Sequence, residues 1–189
     1  MPQTVVAIGG SAGSLHTIRT IIEALPEKFP FAVVIVMHRL RNVQSDMDYI
    51  LSDNEKGIKV KEPEDKQPIR RNCVYLAPQN YHLLVEEDKC FSLDYSEQVN
   101  HSRPSIDVTL ESIAQVYGRN SIGILLSGAN NDGASGISAI IDNGGTGIVQ
   151  NPDTTDFPYM PKSAIYKNKG VKILTVSEIV HYIQHINRI

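Results

Sequence analysis

Short, nearly unbroken apolar runs are the feature that most restricts how this chain can fold. Three of them are VVAI at 5–8, FAVVIVM at 31–37 and SIGILL at 121–126. Such runs are typical of strands buried on both faces of a parallel sheet. A helix-like pattern follows the first run over 14–25, and another, which Ser105 is expected to cap, ends at Tyr117. The alternation predicts an α/β fold: a doubly wound, mostly parallel sheet with helices on both faces.

Three shorter strand-like segments near the middle of the chain depart from this alternation. They lie at 74–77, 82–86 and 91–94, and the links between them are short. Short links favour antiparallel hairpins, because a parallel connection needs a crossover of about a dozen residues or more. We therefore expect an antiparallel hairpin region at one edge of the sheet. No linker or repeat interrupts the pattern, so residues 1–189 are interpreted as a single domain.

Composition excludes several classes of protein. The net charge is −3, with 18 basic and 21 acidic residues, which offers no basic footprint for nucleic acid. No apolar run approaches the roughly 20 residues of a membrane span, and the N-terminus lacks the pattern of a signal peptide. Cys73 and Cys90 stand apart without a CxxC pair, which indicates reduced thiols. These features predict a cytoplasmic globular protein with no nucleic-acid partner and no membrane insertion.

Three polar residues with complementary chemistry follow the buried strands. Ser11 comes after the first run, His38 directly after the second, and Asp132 in the loop after the third. In open α/β sheets, ligands bind beyond the carboxyl ends of the strands. A hydroxyl, an imidazole and a carboxylate at that edge supply the nucleophile, base and orienting acid of a hydrolase. We therefore predict that Ser11, His38 and Asp132 form a catalytic triad.

The glycine-rich loop at 9–13 fits a nucleophile turn better than a phosphate-binding loop. Ser11 stands where a G-x-G-x-x-G fingerprint needs its second glycine, and the chain contains no G-x-x-x-x-G-K-[ST] stretch. The loop is G-x-S-x-G between a strand and a helix, which is the pattern of a nucleophile elbow. Free N–H groups at a helix start would favour an oxyanion there. A nucleotide-binding enzyme is therefore the remotest interpretation.

Each of these residues also has a structural interpretation. A Gly/Ser turn can cap a helix, a lone histidine can satisfy a buried polar partner, and Asn131-Asp132-Gly133 can be an ordinary turn that caps the next helix. His82 and His101 border the hairpin region, where they could line a cleft, and structural roles are favoured for both. His181 and His185 lie four apart without the glutamate of an HExxH motif, so a surface pair is expected.

Ordered blocks of sequence also run from one end of the chain to the other. They are IGGSAG at 8–13, VMH at 36–38, VYLAP at 74–78, YHL at 81–83, HSRPSID at 101–107, LSGANNDG at 126–133 and MPKSA at 160–164. In order and spacing, these blocks resemble the catalytic domain of the chemotaxis receptor methylesterases, the CheB-type protein-glutamate methylesterases. Several blocks in the same order are far more specific than any single motif.

The resemblance implies a serine hydrolase that removes methyl esters from glutamate side chains of chemoreceptors. The nucleophile, base and orienting carboxylate would be Ser11, His38 and Asp132, and backbone N–H groups of Ala12 and Ala129 would hold the oxyanion. The substrate would be the methylated cytoplasmic helices of a receptor, and some family members also convert glutamine to glutamate. No metal or other cofactor is implied. The expected fold is again a doubly wound α/β sheet with an antiparallel edge.

The chain departs from the family pattern at several points. Ala12 replaces a frequent threonine, Ala129 replaces a frequent methionine, and Arg39-Leu40-Arg41 replaces an apolar stretch that contains proline. The receiver domain that commonly gates the family has no counterpart before the first strand, so separate or fused regulatory domains are the expected partners. The alternative function is a weak or inactive domain that binds a partner. Stoichiometric receptor binding without ester cleavage would favour it.

Overall fold

The computed structural model describes residues 1–40, 42–43 and 45–186. The sequence also predicts a last helix over 176–188, and its end lies outside these residues, as does Arg41 of the departure at 39–41. The strands are β1 (Val5–Gly10), β2 (Ala32–Met37), β3 (Val60–Lys61), β4 (Cys73–Leu76), β5 (His82–Val85), β6 (Phe91–Asp94), β7 (Ser121–Leu125), β8 (Thr146–Gln150) and β9 (Lys172–Leu174). The α-helices are α1 (Leu15–Ala24), α2 (Met47–Ser52), α3 (Ile106–Tyr117), α4 (Ala134–Asp142), α5 (Tyr159–Lys167) and α6 (Val176–Gln184). Within this described part, no helix is long and apolar enough to cross a membrane.

Seven strands form one parallel sheet in the order β3-β4-β2-β1-β7-β8-β9. Strand β1 is central, with β2 on one side and β7 on the other, and all three strands are buried along their whole length. The predicted α/β class is confirmed. Strands β2 to β4 lie on one side of β1, and strands β7 to β9 lie on the other side. The boundary between β1 and β7 is therefore a topological switch point, which is where ligands bind in open α/β sheets.

Alternate side chains of β1 enter two separate cores. Val6 and Ile8 pack in the layer that includes α1 and α6, whereas Val5 and Ala7 pack in the layer that includes α3, α4 and α5. Burial of each large aliphatic side chain contributes about 1.5–3 kcal/mol. The two layers explain why the central strands are apolar without alternation.

The antiparallel region is smaller than the sequence suggests. Strands β5 and β6 form a two-stranded antiparallel sheet, with His82 opposite Asp94. Strand β4 does not join them; it pairs in parallel with β2, and Tyr75 and Leu76 are fully buried there. The expectation of a hairpin at β4 is wrong because a short apolar run does not reveal its own partner strand.

The hairpin is attached to α3 by side-chain hydrogen bonds. The Thr109 hydroxyl donates to the Leu83 carbonyl at 2.7 Å, and the Val85 N–H donates to the Ser112 hydroxyl at 3.1 Å. These bonds position the chain that leaves β6, residues 95–103, beside the carboxyl edge of the large sheet.

Candidate active site

Ser11 and His38 follow neighbouring central strands. Gly10 at the end of β1 pairs with Met37 at the end of β2, and the His38 N–H donates to the Gly10 carbonyl at 3.3 Å. Neighbouring strands lie about 4.8 Å apart. The strand register therefore places the residue after each strand, Ser11 and His38, side by side.

Close packing and backbone geometry account for the glycines of the Ser11 loop. A Cβ on Gly9 would lie 2.4 Å from Ile106 Cγ2, and Gly13 has a φ of +77°, which other residues rarely adopt. The Ser14 hydroxyl donates to the Ser11 carbonyl at 2.7 Å and holds the turn closed. Helix α1 begins at Leu15, so Ser11 lies before the helix and not within its first turn.

His38 and Asp132 are in direct contact. The distance from His38 Nε2 to Asp132 Oδ2 is 2.7 Å, with the histidine side chain 13% exposed and the aspartate fully buried. The same oxygen accepts the Ile106 N–H at 2.7 Å. Oδ1 accepts four further hydrogen bonds, from Asn100 Nδ2 (2.9 Å), the Ser105 hydroxyl (2.8 Å), the Asp107 N–H (3.0 Å) and the Gly133 N–H (3.1 Å). The carboxylate is thus held in one orientation from several sides.

Asp132 caps α3, not the helix that follows it in sequence. The N-cap position of α4 is Gly133, whereas Asp132 accepts the first two N–H groups of α3. Ser105 stands at the N-cap position of α3, but its hydroxyl donates to Asp132 and accepts no helix N–H. Ser105 thus occupies the N-cap position expected of it, but the carboxylate of Asp132, and not the Ser105 hydroxyl, accepts the first N–H groups of α3.

The environment of Asp132 favours its charged form. Burial opposes the charge, but hydrogen bonds from His38, Asn100 and the N–H groups of Ile106 and Asp107 outweigh it and hold the pKa of Asp132 below its usual value. An ionised carboxylate only accepts hydrogen bonds, so His38 Nε2 must carry the proton that it shares. Nδ1 of His38 is then the ring nitrogen with a free lone pair.

The Ser11 hydroxyl makes no hydrogen bond to His38 within the described residues. Ser11 is held in place through its backbone, because the Ser11 N–H donates to the Ser127 carbonyl at 2.9 Å. Catalytic hydrogen bonds are often long or misaligned without substrate. The structure thus brings together His38 and Asp132 by a direct bond, and places Ser11 next to them by strand register.

The backbone N–H groups of Ala12 and Ala129 are among those near Ser11 that lack an acceptor within the described part of the chain. Ser11 and Gly128 donate to the carbonyls of Ser127 and Phe157, but the next residues, Ala12 and Ala129, donate no hydrogen bond. Both follow central strands, β1 and β7. Unpaired N–H groups at such positions can stabilise developing negative charge on an oxygen.

A cavity of about 310 Å³ adjoins His38. Its walls are the segment from His38 to Leu40 and the loop that contains Gln98 and His101 to Arg103. Arg39, one of the departures noted above, donates to Glu62 Oε1 at 2.6 Å and to the Ala77 carbonyl at 2.7 Å. Its side chain is therefore a buried anchor, while Leu40 is exposed at the mouth.

The four other histidines singled out in the sequence make no hydrogen bond to His38 or Asp132 among the described residues. His82 is buried, with Nε2 bonded to the Glu97 carbonyl and Nδ1 accepting the Ser105 N–H, so it holds the loop before α3. His101 lines the cavity. His181 and His185 contact each other on α6, with His185 Nδ1 against the His181 carbonyl.

Asn100 and Asp107 belong to the site, although no sequence pattern assigns either of them a role there. Asn100 Nδ2 donates to both Asp107 Oδ2 and Asp132 Oδ1, and Asp107 Oδ1 accepts the Gly136 N–H at 2.7 Å. Asp107 lies in the HSRPSID block, but Asn100 precedes that block and carries no motif of its own. A structure was needed to find this contact because 32 residues separate Asn100 from Asp132.

The fold and these side chains define an α/β domain with serine, histidine and aspartate at the carboxyl edge of its sheet. The family model for CheB methylesterase matches residues 6–183. The crystal structure of the Thermotoga maritima CheB methylesterase catalytic domain superposes with a TM-score of 0.90, at 31% identity, over 97% of this chain and 98% of that chain. The chain therefore belongs to the CheB methylesterase family.

Individual relatives differ in how much of their length this chain covers. A relative in Leptospira interrogans is 43% identical over 175 residues, which is 92% of this chain and 90% of that protein. A Thermotoga maritima protein-glutamate methylesterase/protein-glutamine glutaminase is 32% identical over 178 residues, which is 93% of this chain but 52% of that protein. The chain thus spans nearly the whole of one relative and about half of the other.

Proposed function

We propose that this protein hydrolyses γ-glutamyl methyl esters on protein side chains, using Ser11 as nucleophile, His38 as general base and Asp132 as orienting acid. The observation that carries the proposal is the 2.7 Å bond between His38 Nε2 and Asp132 Oδ2, at a strand end adjacent to Ser11. Family membership and the names of the relatives support the substrate class.

In the proposed reaction, His38 Nδ1 takes the proton of the Ser11 hydroxyl as Oγ attacks the ester carbonyl. The N–H groups of Ala12 and Ala129 hold the oxyanion. The tetrahedral intermediate collapses, His38 gives its proton to the departing methoxide, and methanol leaves an acyl group on Ser11. Water, deprotonated by His38, then attacks the acyl carbonyl; the bond to Ser11 Oγ breaks, His38 returns the proton to Oγ, and glutamate is released.

The same steps would hydrolyse a glutamine side chain, with ammonia leaving in place of methanol. The Thermotoga relative carries both activities in its name, which supports this second reaction for the present chain. We further propose that residues 1–189 act as one catalytic domain. Its protein substrate would be the methylated cytoplasmic helices of a chemoreceptor, and its activity would be controlled by regulatory domains, separate or fused.

Ser11→Ala tests the nucleophile. The variant should release methanol from a methylated receptor fragment at least about 10³-fold more slowly than the wild type, because the acyl intermediate cannot form. Ser163→Ala is a matched control, since among the described residues the Ser163 hydroxyl donates only to the Tyr159 carbonyl within α5. Equal methanol release by wild type and Ser11→Ala would overturn the assignment.

The pH dependence of hydrolysis tests the base. We expect kcat/KM to fall as the pH is lowered from 8 to 5, because a protonated His38 has no lone pair on Nδ1 with which to take the Ser11 proton. Initial rates of methanol release in buffers of constant ionic strength measure this. A rate that is flat between pH 5 and 8 would argue against His38 as the base.

A further inference from the structure

Two buried carboxylates face one another through a single amide group. Asn100 Nδ2 uses its two hydrogens to donate to Asp107 Oδ2 at 2.8 Å and to Asp132 Oδ1 at 2.9 Å. Asp107 is 6% exposed and Asp132 is fully buried. Two carboxylates so close in a region of low dielectric repel each other unless a donor lies between them.

Asn100 is built into this position by its backbone. Its φ is +52°, in the left-handed region that asparagine tolerates better than most residues. The adjacent residues Val99 and Ser102 exchange backbone hydrogen bonds of 3.2 and 3.0 Å, which closes the loop tightly around Asn100. The amide is therefore directed by a constrained turn.

We propose that Asn100 is a positioning residue: its amide separates the carboxylates of Asp107 and Asp132 and fixes the orientation in which Asp132 meets His38. The inference deepens the proposed function, on which its catalytic consequence rests. Asn100 is one of four donors to Oδ1 of Asp132, and the only one of these four whose side chain also donates to Asp107. Oδ2 accepts His38 Nε2 and the first N–H of α3. Among the described residues, the Asn100 side chain makes no hydrogen bond to Ser11, and Asn100 does not itself line the cavity beside His38, so it acts through Asp132.

Charged groups on the neighbouring elements agree with this role. Burial raises the pKa of Asp107, the Gly136 N–H opposes the rise, and the charge of Asp132 adds to it. Glu111, one turn further along α3, has a pKa raised by burial and then by Asp107, while Lys167 of α5 acts in the opposite direction. During the proposed reaction, His38 becomes a cation beside the carboxylates of this acidic cluster. Asn100 is thus a neutral donor at the centre of a group of acidic side chains.

Asn100→Gly tests the proposal because glycine keeps the positive φ and removes only the amide. The carboxyl ¹³C resonances of Asp107 and Asp132, followed by NMR in the full chain, should titrate at least one pH unit higher than in the wild type. Loss of the Asn100 donor and the unscreened repulsion between the two carboxylates both raise the pKa values of Asp107 and Asp132. In the activity measurement, methanol release should show a lower kcat than the wild type and a KM within twofold of it. The loss of activity on acidification should begin at a higher pH than in the wild type.

Asn72→Gly is the matched control. Asn72 has a φ of 59°, and its Oδ1 accepts the Phe29 N–H at 2.9 Å at the opposite edge of the sheet. The Asn72→Gly protein should be less stable than the wild type, without any change in the titration of Asp107 or Asp132. Adding Asp107→Asn to Asn100→Gly should return the Asp132 titration towards the wild-type value, because the opposing charge is gone.

Each outcome decides between the inference and the proposed function. An unshifted Asp132 titration in a folded Asn100→Gly protein overturns the positioning role. A shifted titration in a protein whose wild type releases no methanol keeps the carboxylate network and overturns the proposed reaction. If Asn100→Gly does not fold, Asn100→Asp removes the same donor in a residue of similar shape that tolerates positive φ, and the same upward shift is expected.

Discussion

Asp132→Asn is expected to lower kcat for methyl-ester hydrolysis by about 10⁴-fold, the size of effect seen when the acid of a serine-protease triad is replaced by its amide. An amide that presents its NH₂ group to His38 Nε2 forces that nitrogen to accept a hydrogen bond. The proton then moves to Nδ1, and the lone pair that would take the Ser11 proton is lost. KM should change little because Asp132 is fully buried behind His38.

Kinetics of purified wild-type and variant proteins on the same methylated fragment measure this effect. Asp153→Asn is the control, because Asp153 is exposed and its carboxylate lies outside the network around Asp132. A fall of less than about tenfold in kcat for Asp132→Asn would show that the carboxylate does not set the histidine tautomer. Circular dichroism should establish that both variants remain folded.

Gly133→Ala is expected to destabilise the protein by about 2–5 kcal/mol, the sum of strain at positive φ and overpacking. Gly133 has a φ of +93°, and an added Cβ would lie 2.4 Å from Leu125 Cδ1 and 2.8 Å from Ile106 Cγ2. The clash pushes the loop away from β7 and α3, the two elements that hold Asp132. Activity should therefore fall together with stability.

Gly57→Ala separates the two contributions to this loss. Gly57 also has a positive φ, +64°, but an added Cβ there would meet nothing within 4 Å. Its cost should be about 1–2 kcal/mol, from backbone strain alone. Urea unfolding at constant m-value gives both numbers. Equal destabilisation by the two substitutions would contradict the packing argument for Gly133.

The fold class could be predicted from the sequence because three central strands, β1, β2 and β7, are buried on both faces and read as continuous apolar runs. The partner of β4 could not, since four residues with short links fit a hairpin as well as a parallel strand. The pairing is decided by tertiary packing of Tyr75 and Leu76 beside β2, which no local pattern contains.

The candidate site, like the fold, could be predicted from the sequence only in part. Ser11 and His38 could be placed together because each follows a strand directly, and parallel strands end at one edge. The contact of Asp132 with His38 could be predicted, but its contacts with Asn100 and with the start of α3 could not be foreseen, since these residues lie more than twenty positions earlier in the chain. The local pattern at 131–133 pointed to a cap on α4, and the long-range contact prevailed.

The position of Asp132 at the start of α3 also bears on how such a protein can change over evolutionary time. In many enzymes a catalytic group is strained or poorly solvated, and its removal stabilises the fold at the expense of activity. Here the carboxylate that orients His38 also satisfies the first N–H groups of a core helix. A descendant that abandoned catalysis would gain no stability by discarding this acid, so its retention in a lineage is not by itself a sign of turnover.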